Sequence, residues 1–181
     1  MSKNVILIFG ASGSGTSTLA KYISNQLNYT FIDIDDYYWL KTKVPYTERS
    51  DVETRINKLK NDIENSDNVV MSGSLLAWGN EIKPYLTLAI RLETSTDIRI
   101  KRIQERDKAK YGDRILKDGD MYKQYQEYLD RAMKYDDGGL TVRSKRLYDS
   151  WQKELTCKTI ILSGEDSLEY NLNEIKKLAI L

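Results

Sequence analysis

Val5-Ile6-Leu7-Ile8-Phe9 runs directly into Gly10-Ala11-Ser12-Gly13-Ser14-Gly15-Thr16-Ser17-Thr18. Five consecutive apolar residues predict a buried strand. Gly10, Gly13 and Gly15 then predict a loop whose bare backbone amides can approach a phosphate closely. Leu19, Ile23 and Leu27 follow at helical spacing. Strand, glycine loop and helix in that order are what the phosphate-loop pattern G-x-x-x-x-G-K-[ST] requires. Aligned amides and the positive end of a helix dipole make such a loop an anion site whatever follows Gly15. Residues Gly10, Ala11, Ser12, Gly13, Ser14, Gly15, Thr16, Ser17 and Thr18 are therefore assigned to the phosphates of ATP, with the Ser17 hydroxyl for Mg²⁺. Thr16 stands where the pattern has Lys, so the loop lacks its fixed cation and catalysis needs a positive charge from another part of the chain.

The rest of the chain bounds the chemistry. Its 181 residues, 40% of them apolar, suit one α/β domain with an inserted flap. With 28 basic and 27 acidic side chains the net charge is +1, too small for the bulk attraction on which nucleic-acid binders rely, so a small anionic ligand is expected and no nucleic acid. Histidine is absent, and Cys157 is the sole cysteine, which excludes histidine mechanisms, disulfides and thiolate metal sites. The chain passes from Met1-Ser2-Lys3-Asn4 into the first strand, and no apolar run approaches a membrane span. The expectation is a cytoplasmic protein without a leader or membrane partner.

Five apolar runs read as strands: Val5 to Phe9, Thr30 to Ile34, Val69 to Met71, Leu86 to Leu92 and Thr159 to Leu162. Their alternation with helical segments predicts a parallel sheet with helices on both faces and a ligand beyond the carboxyl ends of its strands. The second run ends in Asp33-Ile34-Asp35-Asp36-Tyr37-Tyr38-Trp39. In an extended strand Asp33 and Asp35 share a face, which places one carboxylate to serve Mg²⁺ and the other to orient an acceptor hydroxyl. Asp36 is read as a helix cap. The aromatic trio is read either as packing or as a stacking surface for a flat acceptor. The third run ends in Ser72-Gly73-Ser74 with no acidic residue, which leaves the metal to Ser17 and Asp33.

Between Arg99 and Lys117 stand eight basic and three acidic residues. Most belong to a solvated face, but Arg102, Arg106 and Lys110 recur at four-residue spacing. Such a row, hinged at Gly112, is expected to act as a lid over phosphates, with Arg106 and Arg114 as the replacement cations. Lys134 to Leu140 should then lead into a helix bearing Arg143 and Arg146.

Together these residues resemble the P-loop kinases of small molecules, the adenylate kinase-like group that includes nucleoside monophosphate, shikimate and gluconate kinases. Phe31-Ile32-Asp33-Ile34-Asp35 looks like the D-x-D of shikimate kinases, and Arg91 to Ser95 with Ile103-Gln104-Glu105-Arg106 is similar to the strand and helix that lead into the lid. Asp136-Asp137 with Arg143, Arg146-Leu147 and Tyr148 is similar to the arginine tract of adenylate kinases, although Lys134 stands where that tract has Arg. The 48–60 segment keeps Arg49 and Arg55 where the group has arginines for an acceptor nucleotide. The resemblance implies a three-layer α/β/α P-loop fold, with a five-stranded parallel sheet in the order 2-3-1-4-5 and a helical lid. Residues 1–181 would form a single domain, with an acceptor-binding segment at about 36–66 and a lid at about 106–140. It also implies an ATP- and Mg²⁺-dependent phosphotransferase in which Asp33, Asp35, Arg106, Arg114 and Arg143 are catalytic. The acceptor would be a nucleoside, a nucleotide or a similar small molecule. The alternative is a nucleotide-binding regulator with little turnover.

Overall fold

A computed structural model describes residues 3–178. They form two compact units, one of residues 3–10, 15–93 and 154–178, the other of Ala11–Ser14 and Thr94–Lys153.

The first unit carries a sheet of Val5–Gly10 (β1), Thr30–Asp33 (β2), Val69–Ser72 (β3), Leu88–Glu93 (β4) and Lys158–Ser163 (β5). All pairings are parallel, in the expected order β2-β3-β1-β4-β5. Its helices are Thr16–Leu27 (α1), the single turn Asp35–Tyr38 (α2) and Val52–Glu64 (α3). A 3-10 turn spans Asn80–Tyr85, and Leu168–Lys176 closes the unit as the last helix of the chain. Residues alternate across a strand, so Ile6 and Ile8 of β1 point to one face. There they cluster with Val70, Leu88 and Ile90, and with Leu19, Ala20 and Ile23, which form the buried stripe of α1. Leu172 and Ile175 of the last helix join the same cluster. The fold is the three-layer α/β/α arrangement of P-loop proteins.

Side-chain caps set the helix starts. Asp51 accepts from Thr54 N at α3 and Ser167 from Tyr170 N at the last helix. By contrast, α1 begins after Gly15 with no side-chain cap.

The second unit contains Thr96–Tyr111 (α4), a 3-10 turn over Gly112–Ile115, Tyr122–Met133 (α5) and Lys145–Gln152 (α6); the last helix of the first unit, Leu168–Lys176, is α7. Ile103, Leu129 and Ala132 form a small core with Ile100, Tyr125 and Tyr128 around it. The fully buried Arg99 guanidinium holds this unit together. It donates to the carbonyls of Thr94 and Ala132 (both 3.1 Å), to Thr96 Oγ1 (2.7 Å) and to Asp136 Oδ2 (2.9 Å), and lies 5.0 Å from the Tyr135 ring centre. Two local expectations change. β2 ends at Asp33, so Asp35 opens α2 and does not share a strand face with Asp33. Arg143 precedes Ser144, the cap of α6, and so lies in the loop before that helix.

Candidate functional site

The loop begins where β1 ends at Gly10. Gly13 takes φ +81°, a left-handed value that other residues adopt at a cost, and a Cβ there would stand 2.5 Å from the Arg99 carbonyl oxygen. Gly15, with φ +99°, offers no side chain to the first turn of α1, which leaves that turn's amides to an outside acceptor. Ser14 is fully buried, and its Oγ has no hydrogen-bond partner. The Ser14 carbonyl accepts from Thr94 Oγ1 at 3.0 Å and from Arg102 Nη1 at 3.4 Å.

At the carboxyl edge of the sheet, Ser72 pairs in register with Ile8 on one side and Asp33 on the other. Its buried hydroxyl donates to Ser17 Oγ at 3.1 Å. The next residue, Gly73, has φ +127° and passes so close to the chain just after β2 that a Cβ would lie 2.8 Å from Ile34 Cβ. Asp33 Oδ1 accepts the Asp35 N–H at 3.1 Å. Burial and the charge of Asp35 push the Asp33 carboxyl above its ordinary range, and Lys21 pulls only weakly the other way. A cation at this edge would relieve that strain of like charges. Among the described residues no cluster of three or more acidic or cysteine side chains could hold a metal by itself. The hydroxyls of Ser17 and Ser72 with the single Asp33 carboxylate suit Mg²⁺, which keeps much of its water and takes further oxygens from substrate phosphates.

Beyond β2, Trp39 and Arg49 form an antiparallel bridge that brings 38–50 into a hairpin-like loop. The Tyr38 ring receives two guanidinium groups, Arg55 at 4.4 Å and Arg49 at 5.6 Å. Arg55 is 5% exposed, lies over Trp78 as well at 5.2 Å, and donates to the Ser50 carbonyl at 2.6 Å. Among the described residues neither arginine pairs with a carboxylate. Tyr37 is tied to Asp62 at 2.6 Å, so of the aromatic trio its role is packing between α2 and α3.

Three arginines were singled out by sequence. Arg106 donates to Asp107 (2.7 Å) and Tyr128 (3.4 Å), Arg114 makes a two-pronged pair with Asp120 (2.9 and 2.8 Å), and Arg143 stands in an exposed loop. Sequence reasoning passed over Arg99 and Ser72. The signal for Ser72 was its place at the end of a strand neighbouring the loop strand; for Arg99 there was none beyond charge.

The chain matches the family model described as AAA domain over residues 6–130. The uncharacterised protein YqaC of Bacillus subtilis (strain 168) is 34% identical over 97% of this chain and 96% of its own. A cytidylate kinase of Pyrobaculum islandicum is 30% identical over 61% of this chain and 65% of its own. Among solved structures, a shikimate kinase from Bacteroides thetaiotaomicron superposes with a TM-score of 0.60 at 21% identity, covering 99% of this chain and all of that one. The glycine loop at the head of α1, the parallel order of the five strands and these likenesses agree: the chain belongs to the AAA domain family, has the P-loop fold and is similar to small-molecule kinases of the adenylate kinase-like group.

Proposed function

We propose that the protein transfers the terminal phosphoryl group of ATP to a small acidic acceptor. The observation that supports this best is the constellation at the sheet edge. Ser17, in the first turn after the loop, is hydrogen-bonded to Ser72, which is next in register to the partly desolvated Asp33. The amides following Gly13 hold the triphosphate. Ser17 and Asp33 would hold Mg²⁺, whose charge would offset that of the phosphates. Asp35 orients the attacking oxygen of the acceptor. Arg106 and Arg114, from a lid at about 106–140, and Arg143, from the loop that follows it, stabilise the moving phosphoryl group.

The acceptor segment at about 36–66 supports the acidic class. A buried guanidinium without a carboxylate is costly, and that cost falls on Arg55, with the exposed Arg49 presenting a second cation to the same aromatic ring. An acceptor bearing a phosphate monoester or carboxylate would compensate them, whereas a neutral nucleoside or polyol would not. No helix among the described residues is long and apolar enough to cross a membrane, and on this reading the protein works in the cytoplasm.

The test is ADP release from ATP and Mg²⁺ over matched acceptors: a nucleoside, its 5′-monophosphate, a hydroxy acid and a polyol. Release with the monophosphate or hydroxy acid, absent with the neutral partners, is expected. Release with neutral acceptors would overturn the acidic class but keep the kinase. ATP binding with no release for any acceptor would favour a regulator, the reading to which the missing Lys at position 16 lends some weight.

A further inference from the structure

We propose that Arg102 supplies the positive charge that Thr16 withholds from the phosphate loop, an inference that rests on the loop's binding a nucleoside triphosphate. Ala11–Ser14 belongs to the same compact unit as α4, the helix that carries Arg102. Three contacts register that helix against the loop. Gly13 leaves no room for a side chain beside the Arg99 carbonyl, Thr94 Oγ1 donates to Ser14 O at 3.0 Å, and Arg102 Nη1 reaches the same oxygen at 3.4 Å. Backbone packing thus delivers the guanidinium to the loop.

The contact itself is exchangeable. At 3.4 Å it is long for an N–H to carbonyl bond, and the oxygen already accepts the closer Thr94 hydroxyl. A guanidinium has five N–H donors, and its bonds to phosphate oxygens are about twice as strong as neutral ones. The same loop residue carries a second sign of a missing ligand, the buried Ser14 Oγ without a hydrogen-bond partner, which a phosphate oxygen would satisfy. Further along the chain, Arg106 of α4 pairs with Asp107 and Arg114 of the 3-10 turn pairs with Asp120, while Arg102 donates to the loop backbone within its unit. The role is electrostatic. The charge sits on a planar fork instead of the point charge of a lysine, and no bond to Arg102 is made or broken.

Calorimetric titration of ATP with Mg²⁺ tests the proposal on five proteins: wild type, Arg102→Gln, Lys101→Ala, Thr16→Lys and the double variant Thr16→Lys/Arg102→Gln. Arg102→Gln is expected to weaken binding about tenfold, the loss of one charged hydrogen bond. Lys101→Ala removes equal charge from the next residue, whose side chain is 76% exposed, and should change affinity less than about twofold. Thr16→Lys should restore most of the affinity lost in Arg102→Gln yet gain less than about threefold in the wild-type background. Arg102→Gln binding as wild type does would overturn the proposal, and so would a loss that Thr16→Lys fails to recover, which would mark a structural role. A gain of about tenfold or more from Thr16→Lys in the wild type would overturn it without any Arg102 variant, should that variant not fold. A wild type that takes up no ATP would overturn the triphosphate reading itself, and Arg102 with it.

Discussion

The Ser72 hydroxyl, at the end of β3, donates to the Ser17 hydroxyl in the first turn of α1 at 3.1 Å. A phosphate-loop protein commonly carries an aspartate near the metal in its third-strand motif, together with a loop lysine. Here a serine and a threonine stand for the pair, so one negative and one positive charge are missing together.

Replacing Ser72 with Ala should leave the Ser17 hydroxyl unoriented. Stability is expected to fall by about 1 kcal/mol, the net worth of a neutral hydrogen bond, and more Mg²⁺ should be needed to reach half-saturation with ATP. Denaturant unfolding and a Mg²⁺ titration at fixed ATP would check both. Unchanged metal demand would remove Ser72 from the site.

Gly13→Ala forces a Cβ toward the Arg99 carbonyl, 2.5 Å away, at φ +81°. That atom is backbone and cannot swing aside. A cost of about 1–3 kcal/mol is expected from the strained conformation alone, with loss of ATP binding as the loop shifts. A thermal melt with and without ATP and Mg²⁺ would show a lowered midpoint that nucleotide no longer raises.

Asp136→Asn probes the Arg99 hub. The guanidinium is fully buried while the Asp136 side chain is 46% exposed, so the pair is partly screened and the guanidinium keeps its bonds to the Thr94 and Ala132 carbonyls. A loss of about 1–3 kcal/mol is expected, below that of breaking a wholly buried pair. Urea unfolding measures it.

At the start of α3, the bond from Thr54 N–H holds the Asp51 carboxyl below its ordinary value. A carboxylate depressed in the folded state contributes stability that is fully present above its unfolded value and is lost as pH falls through the folded one. Asp51→Asn keeps a good cap that does not titrate in this range. Its thermal midpoint should therefore fall less than that of wild type between about pH 5 and pH 2. Melts at a series of pH values would show parallel curves if the cap were unimportant.

The sequence by itself determined the phosphate loop and the five strand runs, because Val5 to Thr18 is a local pattern whose strand, turn and helix are set by neighbouring residues; the order of the strands followed only from the family resemblance. It also marked Asp33, although β2 ends there and not at Ile34. Only the tertiary structure decided what stands beside these groups. The Ser72 to Ser17 bond joins residues 55 apart, Arg99 collects partners 33 and 37 positions further along, and Arg102 meets Ser14 across 88 positions. Arg55 is buried against Tyr38 and Trp78 although its charge predicts exposure. Side-chain partnership depends on how the strands pair and how the helices pack, and a charged residue reads the same in sequence whether it meets water, an aspartate or a loop carbonyl.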